Sequence, residues 1–324
     1  MRKLSSLFFS LLLVASFIPT TAFAEVSEQL QSAETISVSQ AQDDVTDSGM
    51  WGTCRWELAA DGTMTIHPGN VETGSFPWDD KKGAIKSIIF LEEDSEKARG
   101  LSSCKNMFSK CYYLVSVDLS GLDTSQVTDM GSMFYECSKL SSLDLSSLDT
   151  SQVTNMGSMF MYCSSLTSLD LSPLDASQVT GMSDMFWGCS SLTSLDLTPL
   201  GTSHVTSFAS MFENCSSLTS LDLTPLDASN VTSVQDMFRG CSSLVTLDLS
   251  NLKLPKTFDV TWKSGMFDDC PSLACVTVGR GMTQLKLPSS NWVNGHRDWY
   301  STKSKNWFSA GEINRDRDYI ADTY

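Results

Sequence analysis

An α/β solenoid, with a parallel sheet on one face and short helices on the other, is the fold that this 324-residue sequence predicts. A Met-Phe-x-x-Cys motif recurs six times at intervals of 26 residues, and a seventh copy follows 29 residues later. Each copy precedes a Leu-x-x-Leu-x-Leu pattern or a close variant of it. A period of about 20 to 29 residues with this leucine pattern indicates a right-handed leucine-rich-repeat solenoid. The motif methionines are Met107, Met133, Met159, Met185, Met211, Met237 and Met266.

Each repeat is predicted to contain one short strand. In the stretch Ser-Leu-Asp-Leu-Ser, residues alternate, so Leu143 and Leu145 should point into the solenoid. Ser142, Asp144 and Ser146 should then point to solvent. Because one repeat cannot bury its apolar face alone, stacked repeats should share a core and place their strands in a parallel sheet.

The return segment of each repeat is predicted to be a short helix. Val127, Met130, Met133 and Cys137 are spaced by three or four residues, which places them on one helical face. Thr128 precedes most of this segment and could act as the N-cap. The helices should therefore lie on the face opposite the sheet.

The leucine spacing first appears in the stretch "AIKSIIF", so the solenoid is predicted for residues 85–278, with eight strands. Residues 51–84 alternate between apolar and polar side chains and contain Asp61-Gly62, which is a hairpin signal. This segment is predicted to form a small β-rich N-terminal cap.

Residues 1–24 have the pattern of a secretory signal peptide. Arg2 and Lys3 precede an apolar run that ends in an Ala-Phe-Ala motif, so cleavage is expected near Ala24. The run is short for a membrane span of about 20 residues. A secreted or cell-surface location is therefore predicted. Residues 25–50 are rich in Ser, Gln, Asp and Glu and are predicted to form a flexible linker.

The charge of the chain limits its partners. Removal of the signal peptide leaves 20 Lys+Arg against 38 Asp+Glu, a net charge of −18. This charge argues against nucleic acid and anionic lipid as partners, because both are negatively charged. It favours cations or the basic surfaces of proteins, and after the signal peptide no stretch is long and apolar enough to span a membrane.

Residues 279–324 no longer repeat and are predicted to be a C-terminal aromatic cap or tail. The aromatic side chains could plug the open end of the solenoid, because terminal repeats need a cover. They could instead form a platform for sugars, and the sequence leaves both readings open. The residues are Trp292, Trp299, Tyr300, Trp307 and Phe308.

An enzymatic site is not indicated by the motifs. The chain has three histidines, His67, His204 and His296, and none has the spacing of a metal site or a catalytic triad. It lacks a Gly-x-Ser-x-Gly motif and a glycine-rich phosphate loop. A site in the tail around His296, Arg297 and Asp298 remains as a remote alternative.

Seven of the ten cysteines occupy the same repeat position. They should point inward from successive coils in parallel, whereas a disulfide needs converging Cβ atoms. Together with Cys104, which fills an apolar slot, they are predicted to be small buried hydrophobic residues. Cys54 and Cys275 lie outside this pattern. The seven are Cys111, Cys137, Cys163, Cys189, Cys215, Cys241 and Cys270.

Six aspartates also share one repeat position, and we call them the aspartate column. Carboxylates on strands about 5 Å apart repel one another, so neighbouring hydroxyls should donate to them and some carboxyl pKa values should be raised. The column could simply be a polar, solvated surface, or it could recruit calcium or a basic partner. No other cofactor is predicted. The aspartates are Asp118, Asp144, Asp170, Asp196, Asp222 and Asp248, and the flanking hydroxyls are Ser142, Ser146, Ser168, Ser172, Ser194, Thr198, Ser220 and Thr224.

The 26-residue unit "VTNMGSMFMYCSSLTSLDLSPLDASQ" resembles the repeat of the BspA-like leucine-rich-repeat surface proteins, in the subgroup marked by Met-Phe-x-x-Cys and Leu-Asp-Leu-Ser. The resemblance covers roughly residues 85–278, and the closing "DWYSTKSKNWFSAGEINRDRDYIADTY" is similar to a tail found in some members. The resemblance implies an extracellular, non-enzymatic bacterial protein that binds host matrix proteins or other bacteria.

Two non-enzymatic functions follow from the sequence. In the first, the protein is adhesin-like and engages an extracellular protein through the face of the solenoid. In the second, the solenoid is a spacer or structural element of the cell envelope without a specific ligand. Binding to a panel of extracellular proteins would separate them.

Overall fold

The fold is that of a computed structural model. Its described residues from Ser48 onward belong to one compact unit. The predicted signal peptide and most of the predicted linker lie outside the described residues, as do Trp292 and residues 296–298. The described residues are 45–72, 75–250, 252, 265–278, 299–300, 307–308 and 322–323.

The N-terminal cap and the first coils of the solenoid share one sheet, whose strand order is β1-β2-β3-β5-β7. The predicted hairpin is present, since β2 and β3 are antiparallel around Gly62, whose φ of 94° suits glycine. β3 pairs with β5, and β5 with β7, in parallel. Strand β1 begins six residues before the predicted cap. The strands are β1 (Val45–Trp51), β2 (Cys54–Ala59), β3 (Thr63–Ile66), β4 (Gly69–Asn70), β5 (Ser87–Phe90), β6 (Ala98–Arg99) and β7 (Ser116–Asp118).

Parallel strands continue at the far end of a solenoid of about seven coils. β8 (Ser220–Asp222), β9 (Thr246–Leu249) and β10 (Cys275–Val278) pair in parallel, and β13 (Asp322–Thr323) pairs antiparallel with β10. The C-terminal strand therefore covers the edge of the last coil by main-chain pairing. The remaining strands, β11 (Trp299–Tyr300) and β12 (Trp307–Phe308), pair with each other.

The prediction of eight strands is only partly correct, because five of the eight predicted positions form strands. Residues 142–145, 168–171 and 194–197 occupy the corresponding place in the three central coils without strand pairing. In each of these segments the N–H two residues beyond the aspartate donates to the aspartate side chain, as it also does at the aspartates of β7, β8 and β9. The regular strands are those nearest the two ends, where strands of the cap or the tail pair alongside.

The core consists of residues that repeat from coil to coil. The inward leucines and the Met-Phe pairs are buried, as the alternation and spacing predicted. Phe134 and Phe160 stack with ring centroids 5.8 Å apart and an interplanar angle of 6°. The same contact joins Phe160 to Phe186 at 5.6 Å. Close packing is thus copied along the solenoid, one aromatic ring per coil.

The prediction of short helices in the return segments is wrong, and among the described residues no helix is present. Ser132 and Glu136 have φ values of 57° and 59°, and a left-handed residue every fourth position interrupts a right-handed helix. The main-chain N–H groups instead donate alternately to a carbonyl of their own coil and to a carbonyl of the next coil. That of Met133 closes a turn to Met130 at 3.2 Å, whereas that of Phe134 donates to Met159 of the next coil at 2.9 Å.

Thr128 does not cap a helix. Its hydroxyl and its N–H both donate to the Ser102 carbonyl of the preceding coil, at 3.3 and 3.0 Å. Thr154 bonds to Thr128 in the same way, at 3.1 and 2.9 Å. A parallel series of single bridges runs beside these threonines through Asp129, Asn155 and their equivalents. Consecutive coils are therefore joined by hydrogen bonds on the side where helices were expected.

The repeat cysteines form the predicted buried column. The structure has all ten cysteines as thiols rather than disulfides. The Sγ of Cys137 donates to the Phe108 carbonyl of the preceding coil at 3.2 Å. Cys104 and Cys54 are also buried, whereas Cys275 is half-buried on the strand β10.

Candidate binding surfaces

The aspartate column lies on the exposed strand side, as predicted. All six side chains are exposed, and Asp222 lies directly opposite Asp248 in the pairing of β8 with β9. The eight flanking hydroxyl residues are exposed on the same side. The solenoid thus presents one carboxylate per coil to solvent.

A tight local turn fixes each aspartate of the column. The main-chain N–H two residues later donates to Oδ1 of the carboxylate, which is the geometry of an Asx turn. The distance is 2.9 Å from Ser146 to Asp144 and 2.7 Å from Ser250 to Asp248. The predicted donation by a hydroxyl is present at Asp196, where Thr198 Oγ1 lies 2.5 Å from Oδ1. The main-chain donor, however, is common to all six.

The expectation that neighbouring carboxylates raise the pKa is wrong for Asp170 and Asp196. At Asp170, the hydrogen bond from the Ser172 main chain lowers the pKa, although Asp144 and Asp196 oppose it. At Asp196, the hydroxyl and the N–H of Thr198 lower the pKa. Hydrogen bonds to the ionised form therefore outweigh repulsion across the solvated surface.

The column does not form a preformed calcium site. In the part of the chain that the structure describes, no group of three or more His, Cys, Asp or Glu side chains is close enough to hold a metal ion. Calcium usually takes six to eight oxygen ligands, which carboxylates, carbonyl groups and water supply together. Single carboxylates spaced one per coil do not fit this requirement.

A second set of Asx turns follows the column at the next corner of the coil. Asp149 and Asp175 each accept the N–H two residues on, at 3.0 and 2.9 Å. Beside them, the buried hydroxyl of Thr150 donates to the Asp175 carbonyl at 3.1 Å and accepts the Asp175 N–H at 2.7 Å. Similar turns at Asp123 and Asp227 make this corner a structural counterpart of the column.

A cleft of about 890 Å³ lies on the opposite side, between the N-terminal cap and the first three coils. We call it the lysine–tyrosine cleft. Its lining combines cationic, aromatic and hydroxyl side chains, and no sequence pattern predicted it. The lining residues are Ser75, Phe76, Asp79, Lys82, Gly83, Lys105, Asn106, Ser109, Lys110, Tyr112, Ser132, Tyr135, Ser158 and Met161.

A row of aromatic rings leads away from this cleft. Tyr135 and Tyr162 have centroids 6.2 Å apart, and Tyr162 and Trp187 are 5.4 Å apart. These residues occupy the two variable positions inside Met-Phe-x-x-Cys. Because the surrounding motif repeats so closely, variation at these two positions was the sequence signal for a surface that differs from coil to coil.

The described histidines have structural surroundings. His67 lies between two carboxylates of the cap region, with Nε2 3.3 Å from Glu57 and Nδ1 3.0 Å from Glu93. His204 Nδ1 lies 2.9 Å from the Ser177 carbonyl at an exposed turn. The Nδ1 atom of His204 also lies 3.4 Å from the hydroxyl of the adjacent Ser203.

Together, the stacked coils and the two exposed sides define a leucine-rich-repeat solenoid protein. The chain belongs to the family described as "Mycoplasma protein of unknown function, DUF285", which matches residues 102–198 and 193–276, more than half of the chain. The matched segments are the repeats themselves, and the resemblance to bacterial leucine-rich-repeat surface proteins is confirmed. No curated protein matches the chain.

Three solved structures are similar to the chain. The leucine-rich-repeat protein TpLRR of T. pallidum has 18% sequence identity and a TM-score of 0.37, over 61% of this chain and 91% of that one. A leucine-rich repeat protein from Eubacterium ventriosum has 16% identity and a TM-score of 0.28, over 76% and 92% of the two chains. A leucine-rich cell surface protein from Faecalibacterium prausnitzii has 15% identity and a TM-score of 0.24, over 85% and 99%.

Among the described residues, none belongs to a helix with the length and apolar character needed to cross a bilayer.

Proposed function

We propose that this protein is an exported, adhesin-like binding protein and not an enzyme. It would engage host extracellular proteins or bacterial surface proteins through the exposed strand side of the solenoid. The observation that carries the proposal is the aspartate column, which presents one oriented carboxylate per coil on a repeated scaffold. The signal-peptide pattern of residues 1–24 supports the export that this role requires.

The column is suited to a basic protein surface. The turn that holds each Oδ1 fixes the direction of the carboxylate before any partner arrives, which lowers the cost of ordering it on binding. A regular row of negative charge also steers a positively charged partner and disfavours negatively charged ones. The overall net charge of −16 acts in the same direction.

Binding of the mature protein to immobilised extracellular matrix proteins and to co-resident bacteria tests this proposal. A variant with Asp144, Asp170, Asp196 and Asp222 replaced by Asn removes four charges and keeps an Oδ1 acceptor in each turn. The matched control replaces Asp123, Asp149, Asp175 and Asp227 by Asn, because these residues make the same turn at the neighbouring corner. We expect the first variant to lose binding and the control to keep it.

The second candidate function is a spacer or structural element of the cell envelope. It is favoured by the same Asx turns, because they give each aspartate a structural role without a partner. If the protein binds no member of the panel, or if both Asn variants bind as the wild type does, the column is structural. Export is tested separately by N-terminal sequencing of the extracellular protein, which should begin at Glu25.

A further inference from the structure

We propose that the lysine–tyrosine cleft binds an acidic oligosaccharide. The cleft lies on the turn side of the first three coils, away from the aspartate column, so this site is separate from the protein-binding surface proposed above. Its ligand class follows from three properties of the lining: local positive charge, exposed aromatic faces and a hydroxyl-rich floor.

The charge of the cleft is opposite to that of the whole chain. Lys82, Lys105 and Lys110 line it together with the carboxylate of Asp79, and the Glu136 carboxylate lies near the two lining tyrosines. Asp79 forms an ion pair with Lys82, whose Nζ lies 2.8 Å from Oδ1 of the carboxylate. The same Nζ donates to the Asn106 carbonyl at 3.2 Å. Two exposed lysines therefore supply the positive charge toward an incoming ligand.

These two lysines are weakly engaged by the protein itself. Lys105 Nζ is 3.9 Å from Asp129, at the limit of an ion pair, and is 55% exposed at its side chain. Within the described part of the chain, no carboxylate lies within salt-bridge distance of Lys110. In a chain with 38 acidic and 22 basic residues, such a pair is a local site for anions. A carboxylate or sulfate group on the ligand would pair with an ammonium group of this kind.

Aromatic and apolar side chains form the second property. Tyr112 is 43% exposed beside Tyr135, and Phe76 and Met161 complete the apolar part of the lining. The Glu136 carboxylate raises the pKa values of both tyrosines, that of Tyr135 to about 12. The exposed part of the Tyr112 ring offers an apolar surface to the C–H face of a sugar.

The third property, the hydroxyl and amide groups of the lining, favours a sugar over an acidic peptide as the ligand. Ser109, Ser132, Ser158 and Asn106 supply hydroxyl and amide groups that can donate to and accept from sugar hydroxyls. The cleft volume of about 890 Å³ lies within the range of about 300–1,000 Å³ that is usual for small-ligand sites. Protein partners usually cover a broad surface with an apolar centre, whereas this lining mixes polar and aromatic groups throughout.

Calorimetric titration of the full mature chain tests the proposal. The acidic probes are hexasaccharides of hyaluronan and of chondroitin sulfate, and chitohexaose and hexaglutamate are the neutral-sugar and acidic-peptide probes. We expect at least one acidic hexasaccharide to bind, and to bind more tightly than either of the other two probes. The double variant Lys105→Gln/Lys110→Gln should weaken its binding by about tenfold or more, since about 1.4 kcal/mol corresponds to a factor of ten.

Two further variants make the result specific. Tyr112→Ala removes an exposed ring and should also weaken binding without affecting the fold. The control Lys86→Gln/Lys139→Gln removes the same charge from exposed lysines outside the cleft and should leave binding within about twofold. Absence of binding by both acidic hexasaccharides, equal loss in the control pair, or equally tight binding of hexaglutamate would each overturn the proposal.

Discussion

The thiol of Cys163 donates a hydrogen bond to the main-chain carbonyl of Phe134, one coil earlier, over 3.2 Å. The same contact recurs from Cys137 to Cys270 at 3.0 to 3.2 Å. Each thiol is thus both an apolar filler and a weak donor that serves a buried carbonyl. Their column explains how the chain can hold many cysteines in series without converging sulfur atoms.

Native thiols should react slowly, because burial raises the pKa of Cys189 to about 12 and the thiolate is the reactive form. Titration with a coloured disulfide reagent at pH 8 should therefore detect few thiols in the folded protein. After unfolding without reductant, at least seven should react. A protein that yields mostly disulfides under these conditions would contradict the buried column.

Replacing Phe160 by Ala should destabilise the solenoid by about 3–5 kcal/mol, the usual cost of removing a buried phenylalanine. The ring is fully buried and stacks on Phe134 and Phe186 on its two sides, so the cavity would open between coils. Chemical denaturation measures the loss. Tyr113→Ala is the control, because that ring is 56% exposed and its loss should change stability by less than about 0.5 kcal/mol.

Replacing Thr150 by Val should cost about 1–3 kcal/mol, because the N–H and the carbonyl of Asp175 would both lose their partner. Thr154→Val removes a similar coil-to-coil hydroxyl bond, but that threonine is exposed and water can replace it. We expect the melting temperature to fall clearly in the first variant and little in the second. Equal changes in the two would show that burial of the hydroxyl is unimportant.

Stability should decrease as the pH falls through the acidic range, in part because the pKa values of Asp170 and Asp196 are lowered in the fold by hydrogen bonds. For a lowered pKa, the contribution is present above the unfolded value of about 3.9 and is lost as the pH falls through the folded value. The variant Asp170→Asn/Asp196→Asn should therefore lose less stability between pH 5 and pH 2, measured by thermal melts.

Asp184 should have the opposite effect on the pH dependence of stability in the same experiment. Burial and the nearby Glu213 raise its pKa, so its ionisation opposes folding as the pH rises. Asp184→Asn should make the protein more stable at neutral pH and should steepen the loss on acidification. A flat profile in the wild type, or the same change in both variants, would refute the assignment of these shifts.

The repeat period predicted the coils and the core, but it could not distinguish a helix from a series of tight turns. Both advance by three or four residues, so the spacing of Met130, Met133 and Cys137 fits either. The sequence does not reveal the left-handed conformation of Ser132, because serine, unlike glycine, is not typical of positive φ. Gly265 occupies the position of Ser132 in a later coil, and Gly188 occupies that of Glu136. Both have positive φ, and there glycine was the sequence evidence for turns.

The two surfaces differ in how far the sequence could predict them. The aspartate column follows from strand alternation, which is a local property, and its exposure was predicted correctly. Its hydrogen bonds come from main-chain groups such as the N–H of Ser172, and only the backbone geometry reveals them. The lysine–tyrosine cleft joins Lys82 of the cap segment to Met161 of the third coil, and no local pattern connects residues so far apart in the sequence.

A coil could be inserted into this molecule, or removed from it, without changing the contacts of the others. Thr154 bonds to Thr128, and Thr180 to Thr154, at the same atoms and across the same interval of 26 residues. An in-frame copy of one unit would find equivalent partners above and below itself. The protein would then become longer by about 5 Å per copy, the usual spacing between neighbouring strands. Its reach is therefore set by the number of units.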